Sequence, residues 1–421
     1  MISTTVSVLR QRKGKRASQY FALINCRTRA NSSGGRMRVP SIAPSYQFSV
    51  QTRLPWNMSL DTAYVGSQSR HQQDNRNLNF NAFGQCYLPQ NQDPTLVASS
   101  STILLGTNCL PANFLKPYLG FNNINLYESQ ATGNYNALQV QLQRRATKGL
   151  YFGVSYSWSK AMATSLSGGT NDNSFVRPDN LNRIANYAPT SFDRRQILAI
   201  NYVYSTPKFF AGNAFTRLLT DGWQISGVTQ AQTGSPFTPT ASIASGSSNQ
   251  VVTGSNTEGP RIGVVSGCDP YTHSSDPFNR LNAACFYPAR PGSIGLESGI
   301  NFLYGPGQIN FDIAVQKEFA IKERVRIQFR ADAFNAFNHA NFTGLNGGLN
   351  FKAYPNSNGQ VSGLPGLAAT ALGRNDTANG CNPGASGAGC LNFTGFGTVT
   401  QVGPGALGYA RIMQLLVRVQ F

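Results

Sequence analysis

The last segment of the sequence, Ala410-Arg-Ile-Met-Gln-Leu-Leu-Val-Arg-Val-Gln-Phe421, is the most informative one about the fold. Counting back by twos from the terminal phenylalanine gives only apolar side chains, which are Val419, Val417, Leu415 and Met413. The interleaved positions are mostly polar and include Arg418. Because a strand places alternate side chains on opposite faces, the segment predicts a β-strand with one apolar face and one polar face.

The same alternation recurs along the chain. Its clearest example is Tyr151–Lys160, where large apolar side chains alternate with glycine and serine. Further period-2 segments lie at 46–50, 60–64, 138–143, 198–204, 223–226, 309–316 and 324–331. With the terminal strand they predict about nine strands of about 9–14 residues, which suits tilted membrane-spanning strands better than soluble sheets.

The connections between these strands alternate in length. Short connections lie at 54–55, 147–149, 207–220 and 320–322, and long ones at 68–135, 162–190, 234–306 and 339–408. Short periplasmic turns and long extracellular loops are typical of outer-membrane barrels, whereas long unstructured loops count against a compact soluble domain. The pattern predicts an all-β protein, an antiparallel transmembrane β-barrel. For any single strand, the edge of a soluble sandwich remains the alternative.

Two sets of residues follow from this parity. The tryptophans Trp56, Trp158 and Trp223 fall at predicted strand ends with the apolar parity, and they predict two interfacial aromatic belts. The opposite parity gives the candidates for facing a wet lumen, which are Gln139, Gln141, Gln143, Asp312, Arg324, Arg326, Arg330 and Arg418.

Composition excludes several classes of protein. Charged residues make up 12% of the chain, and no run reaches the 18 or more apolar residues of a transmembrane helix. Half of the net charge of +18 lies in residues 1–40 and the other half is dispersed along the chain, which indicates a solvated basic arm rather than a nucleic-acid-reading surface. The three histidines are isolated, and no phosphate loop or paired carboxylates occur. We therefore expect no enzyme activity, no metal and no cofactor.

The cysteines suggest disulfides in the long loops. Six of the seven form sequence-local pairs in Gly-, Pro- and Asn-rich segments: Cys86 with Cys109, Cys268 with Cys285, and Cys381 with Cys390. A Cys-x-x-Cys motif is absent, which argues against zinc. Disulfides would imply an oxidising compartment, and six unrelated free thiols are the alternative.

Several motifs, taken in order, resemble the barrel of TonB-dependent outer-membrane transporters, in particular the Oar-like group. The resemblance covers residues 45–421. The matching stretches are Leu54–Met58 with Ala63–Ser67, Tyr135–Arg145, Tyr151–Lys160, Phe192-Asp-Arg-Arg195, Asp221–Gly227, Gly305–Asp312 and Phe329–Phe342.

The resemblance implies a larger protein than this sequence supplies. Such transporters have about 22 strands around a plug and carry an export signal, and we identify neither plug nor signal here. We therefore expect residues 41–421 to be the C-terminal portion of such a barrel, open and incomplete. Residues 1–40 match nothing recognised and are expected to be disordered.

The function implied is uptake of a scarce nutrient, such as an iron chelate or an oligosaccharide, across the cell outer membrane of a Gram-negative bacterium. The implied partners are outer-membrane lipid, the barrel-assembly machinery acting on the strand that ends in Phe421, and the TonB system through a plug. Without a plug this chain alone is not expected to transport, and no nucleic-acid partner is expected. The alternative is a secreted all-β adhesin or carbohydrate-binding protein, which would purify without detergent.

Overall fold

The computed structural model describes residues 19–29, 41–96, 106, 108–147, 149–164, 186–206, 220–243, 248–276, 279–287, 289, 292–322, 325–351, 396–402 and 410–420. These ranges are predominantly β-structure. With strands numbered in chain order, the ten long ones are β1 (Gln19–Arg29), β2 (Ser41–Leu54), β3 (Met58–Asn77), β4 (Asn125–Thr147), β5 (Leu150–Ala163), β7 (Gln196–Ser205), β8 (Trp223–Gln232), β14 (Gln308–Lys322), β15 (Val325–Phe334) and β19 (Ile412–Gln420).

Shorter elements lie in the connections. The short strands are β6 (Ala188–Pro189), β9 (Pro236–Phe237), β10 (Thr240–Ile243), β11 (Gly263–Val264), β12 (Phe286–Tyr287), β13 (Leu303–Tyr304), β16 (Phe342–Leu345), β17 (Gly348–Phe351) and β18 (Val399–Val402). The helical segments are Ala112–Leu115, Ser248–Thr253 and the 3-10 turns Gln85–Tyr87, Pro89–Asn91 and Ala283–Cys285. Within the described ranges no helix is long and apolar enough to cross a membrane.

The long strands form one antiparallel sheet in the order β1-β2-β3-β4-β5-β7-β8-β14-β15-β19, and β6 pairs with the end of β5. Each long strand is hydrogen-bonded to the next long strand of the chain, so the sheet is an up-and-down meander. Within the described residues β1 and β19 form its two edges. The strand that contains Tyr46 pairs with β1 and β3, and not with β19.

The register keeps one face of the sheet apolar from strand to strand. Val154 of β5 lies opposite Leu142 of β4 and Ile200 of β7, whereas its neighbour Ser155 lies opposite Gln141. Following the ladders across the sheet shows that Val154 shares its face with the other side chains of apolar parity. These include Phe152, Tyr156, Ile327, Phe329, Val417 and Val419.

The alternation of short and long connections is confirmed. At one end, β2–β3, β4–β5 and β14–β15 are joined by residues 55–57, 148–149 and 323–324, and β7–β8 by residues 206–222. At the other end the connections are residues 78–124, 164–195, 233–307 and 335–411. All long connections therefore leave and rejoin the sheet at a single end.

Two glycines make close approaches possible at the short-turn end. Gly149 and Gly222 have φ values of 79° and 76°, which favour glycine. A Cβ on Gly149 would lie 2.2 Å from the carbonyl oxygen of Ser205, and one on Gly222 would lie 2.6 Å from that of Glu318. These contacts explain why glycine stands in the Asp221–Gly227 motif and in the β4–β5 turn.

β1 departs from the sequence expectation, which placed residues 1–40 in a disordered segment and counted about nine strands. Gln19–Arg29 is an eleven-residue strand paired along its whole length with β2. Its apolar residues occupy both parities, so the period-2 signal that reveals the other strands is missing. The strand is defined by its pairing with β2 and not by an alternation of its own. With β1 included, the sheet has ten long strands.

The β3–β4 hairpin is also longer than expected. β3 has 20 residues and β4 has 23, so much of the segment 68–135 that was predicted as a loop is paired strand. The added residues of β3 are all polar and those of β4 mostly so, which removes the apolar alternation while leaving backbone pairing possible. The hairpin therefore extends beyond the neighbouring strands at the long-loop end.

The described parts of the long connections pack into a folded cap, which we define as the described residues within 78–124, 186–195, 233–307, 335–351 and 396–402. Its apolar core includes Ile262, Phe286, Leu303, Leu349 and Phe396, each at most 1% exposed. The rings of Phe286 and Phe396 meet edge to face with centroids 5.5 Å apart. The main cluster of buried apolar side chains in the described chain thus lies in its loops and not on the sheet.

Candidate functional site

Large apolar side chains are exposed on one face of the sheet. Trp158 is 57% exposed, Phe329 46%, Val417 61% and Leu415 82%. A contiguous apolar surface of this kind is unfavourable in water and marks an interaction surface. Lipid can cover this surface, because hydrocarbon offers no hydrogen bonds and the backbone N–H and C=O groups of the paired strands already bond to each other. We define the face that carries Val154 as the lipid face.

The tryptophans Trp158 and Trp223 mark two levels on the lipid face. Trp158 lies opposite Gln196 at one end of β7, and the carbonyl of Trp223 accepts a hydrogen bond from the backbone of Thr206 at the other end. The separation is about ten residues, or roughly 33 Å along the strand. A tilted strand needs about that many residues to cross a membrane.

Trp56 does not lie on a strand as the parity argument required. It occupies the turn between β2 and β3 with a φ of 60°, and it is 77% exposed. The following Asn57 also has a positive φ, of 59°. A two-residue left-handed turn is a standard way of closing a hairpin, and it turns Trp56 out of the strand's alternation. Its position at the short-turn end is retained.

A lysine on the lipid face occupies the same level as Trp223. Lys317 pairs with Trp223 across β14 and β8, and its Nζ lies 5.0 Å from the centre of the indole ring. The ammonium group donates a hydrogen bond to the backbone carbonyl of Asp221, just beyond the end of the strand. A long side chain that extends its charge toward the turn is typical of an interface between lipid and water.

The amides of β4 form the middle of the polar face. Gln139, Gln141 and Gln143 are exposed there, and Gln141 lies between Asp61 on β3 and Ser155 on β5. Their face is not uniformly polar, because Ile197, Val228 and Leu416 share it.

Charged residues occupy the same face on the last strands. Arg326 Nη1 lies 3.2 Å from Glu318 Oε1, and Arg330 Nε lies 2.8 Å from Asp332 Oδ1. Arg418 is exposed on β19 opposite Gln328. Arg324 and Phe421 lie outside the described residues.

Asp312, predicted only as a lumen-facing residue, also holds a turn. Its Oδ1 accepts hydrogen bonds from the backbone of Asn335 and the side chain of Asn310, both at 2.9 Å. Beyond the β15 ladder, the fully buried Asn341 donates to the carbonyl of Ile309 at 2.9 Å and accepts from its amide at 2.8 Å. Asparagines at the end of the Phe329–Phe342 motif thus bond the backbone of β14 where its pairing with β15 has ended.

A buried carboxylate joins the cap to the sheet. Asp193, 1% exposed, accepts a hydrogen bond from the backbone of Ala161 in β5 at 2.7 Å and lies 3.3 Å from Arg195 Nε. Arg195 donates to the hydroxyl of Tyr304 at 2.9 Å, and that hydroxyl donates to Asp193 at 3.4 Å. Burial raises the pKa of Tyr304, which keeps this hydroxyl protonated.

Sequence reasoning missed the role of Asp193. The motif Phe192-Asp-Arg-Arg195 was noted for its resemblance only, because nothing local indicates that its carboxylate is buried. Its partner Tyr304 lies 111 residues away. No group of three or more His, Cys, Asp or Glu in the described part of the chain could hold a metal ion.

Two disulfides lie in the cap. Cys86 and Cys109 are bonded with Cα atoms 5.0 Å apart, and Cys268 and Cys285 with Cα atoms 5.5 Å apart. The pair Cys381 and Cys390 falls outside the described residues. Both bonds close loops of the cap, so they contribute to its stability and not to that of the sheet.

We expect replacement of Cys86 and Cys109 by serine to destabilise the cap by about 3 kcal/mol, because the bond restricts a loop of 23 residues in the unfolded chain. Protease should then cleave residues 78–124 faster on intact cells, while the folded sheet keeps its anomalous migration in unheated SDS gels. The matched variant at Cys268 and Cys285 should expose a different segment. Loss of the folded sheet in either variant would contradict the conclusion that the disulfides stabilise the cap and not the sheet.

The sheet and its two faces define a membrane-embedded β-barrel protein. The family described as outer membrane beta barrel domain matches residues 12–413, and the chain belongs to this family. The match includes β1, in the segment that sequence reasoning left unassigned. The predicted all-β barrel class and the outer-membrane location are thereby confirmed. Membership of a membrane-barrel family also agrees with a role other than enzyme and displaces the secreted soluble alternative.

Two solved structures that resemble this chain belong to longer proteins, and the similarity covers only part of each of them. The outer membrane transporter YddB from Escherichia coli is 9% identical, with a TM-score of 0.38, over 77% of this chain and 35% of that chain. FpvA from P. aeruginosa, solved with heterologous pyoverdines, is 8% identical, with a TM-score of 0.35, over 79% of this chain and 28% of that chain. The chain therefore spans about a third of their length. No curated protein matches it.

Proposed function

We propose that this chain forms part of the membrane-spanning wall and the extracellular cap of a TonB-dependent transporter of the Oar-like group. The transporter would take up a scarce nutrient, such as an iron chelate or an oligosaccharide. The carrying observation is the arrangement of the sheet. One face is apolar between two levels marked by Trp158 and Trp223, the other bears amides and charges, and the long loops fold into a disulfide-bonded cap at one end.

The proposed parts follow from that arrangement. The polar face would line a wet lumen, including Arg324 by its sequence parity. The cap would meet nutrients outside the cell, where disulfides persist. Phe421 would end the strand that the barrel-assembly machinery engages. Coupling to the TonB system would require a plug domain in the lumen, so uptake depends on that domain and not on the wall alone.

Deletion of the gene in its native bacterium tests the proposal. We expect the deletion strain to lose growth on one limiting nutrient, either a ferric chelate or an oligosaccharide, and a strain without TonB to lose growth on the same nutrient. The wild-type gene should restore growth. If the deletion strain grows like its parent on every nutrient for which the strain without TonB fails, the transporter assignment is wrong.

A further inference from the structure

A cavity of about 280 Å³ opens at the long-loop end of β3, β4 and β5. Two rows of residues cross these strands beneath it: Ser67, Tyr135 and Ala161 form one, and Ser69, Gly133 and Ala163 form the other. Both rows have the parity of Gln139 and Gln141 and thus belong to the polar face. The second row contains no side chain longer than that of serine, and this absence of bulk creates the space.

Thr190 contributes a polar group that nothing satisfies among the described residues. It lines the cavity and is 3% exposed, yet its hydroxyl oxygen has no hydrogen-bond partner there. Its backbone is fixed, because the amide donates to the carbonyl of Ala161 at 3.1 Å and the carbonyl accepts from Asp193 at 2.9 Å. A buried hydroxyl without a partner is destabilising. Because the oxygen is covered by protein atoms, the side chain would have to rotate about χ1 to present it to a ligand hydroxyl in the cavity.

The lining of the cavity indicates the chemistry of that ligand. It combines the hydroxyls of Ser67 and Ser69 and the amide of Gln72 with the rings of Tyr135 and Phe192. Among the described residues that line it there is no Lys, Arg, Asp, Glu or His. An anionic chelate placed here would lose hydration without gaining a counter-charge. A neutral sugar ring instead offers hydroxyls to the polar groups and an apolar face to an aromatic ring.

We infer that this cavity is a subsite for one neutral sugar ring of an oligosaccharide, with Thr190 as a hydrogen-bonding residue and Phe192 as a stacking platform. Its volume lies near the lower limit for small-molecule sites, which suits one ring of a longer chain. Phe192 is 59% exposed at the rim, where the rest of an oligosaccharide could continue toward the cap. The inference rests on the proposed function and selects the oligosaccharide over the iron chelate.

Thr190→Val keeps the shape of the side chain and removes the hydroxyl. We expect it to weaken sugar binding by about three- to tenfold, because one hydrogen bond to the ligand is lost. In the absence of sugar it should unfold at the same temperature as the wild type or a higher one, because the unsatisfied hydroxyl is gone. If the hydroxyl had only a structural role, its removal would not weaken sugar binding while leaving the unfolding temperature unchanged or higher.

The measurement uses the full chain, extracted in detergent from outer membranes and applied to an array of neutral plant and microbial oligosaccharides. Affinity for the best-bound oligosaccharide is then measured by calorimetry, with ferric citrate as the charged comparison. Phe192→Ala should weaken sugar binding at least about threefold, and folding should be retained because this side chain is exposed. Ser155→Ala, on the same face away from the cavity, is the matched control and should bind normally.

The possible outcomes separate the subsite from the proposed function. Sugar binding that is weakened by Thr190→Val and Phe192→Ala supports the subsite even if the deletion strain shows no uptake defect, in which case only the transporter assignment fails. Absence of binding across the array overturns the subsite. Binding that both variants leave unchanged, or a preference for ferric citrate, overturns it as well.

Discussion

Replacing Val154 by arginine is expected to destabilise the inserted sheet by about 2–4 kcal/mol, the cost of an arginine facing lipid at the middle of the membrane. Val154 lies between Leu142 and Ile200 on the lipid face. Ile200 is near the midpoint of the stretch of β7 that separates the levels of Trp158 and Trp223. The charge therefore cannot reach either interface easily, and assembled protein in the outer membrane should fall sharply.

Ser155→Arg is the matched control, one residue along the same strand. Ser155 is exposed on the polar face opposite Gln141 and Ala199. We expect this variant to change stability by no more than about 0.5 kcal/mol. Urea unfolding in lipid vesicles and the yield of heat-modifiable protein both report the difference. Equal losses in the two variants would show that the faces are not lipid and lumen.

Asp193→Ala is expected to release part of the cap from the sheet. The change leaves the amide of Ala161 and the guanidinium of Arg195 without their carboxylate, and it deprives the Tyr304 hydroxyl of its acceptor. Removing one partner of a buried ion pair costs about 3–5 kcal/mol. Because Arg195 is 34% exposed, we expect the lower end of that range. Limited proteolysis on intact cells should cleave near residues 186–195 much faster than in the wild type.

Asp332→Asn serves as the comparison for this network. Asp332 pairs with Arg330 on the polar face, where the two side chains are 19% and 43% exposed. A pair with this exposure contributes less than about 1 kcal/mol, so the variant should resist protease like the wild type. If Asp193→Ala does the same, the buried network does not hold the cap.

The lipid face of this protein could be predicted because its signal is local. Alternation along Tyr151–Lys160 or Ile412–Gln420 assigns each side chain to a face before any pairing is known, and the register then aligns those faces. The same reasoning fails for Gln19–Arg29, where apolar residues occupy both parities. It also fails for Trp56, where two positive φ angles interrupt the alternation of the strands on either side.

The candidate sites depend on contacts between distant parts of the chain. Asp193 was visible only as part of a motif, and its function as a cap anchor requires Tyr304. Thr190 carried no sequence signal, because a threonine in a polar loop ordinarily finds water. Its importance arises only where the ends of β3, β4 and β5 present short side chains beside it and its hydroxyl is buried without a hydrogen-bond partner among the described residues.

The all-β class, the apolar and polar faces, and the alternation of short turns and long loops could be predicted from the sequence, because the two-residue period of an extended backbone reveals the strands and hence the segments between them. The apolar core in the described parts of the long loops became apparent only from their three-dimensional packing. Asn81, for example, donates to Asn256 at 3.0 Å across 175 residues of sequence. Such contacts form where folding brings distant segments together, and no periodicity along the chain encodes them.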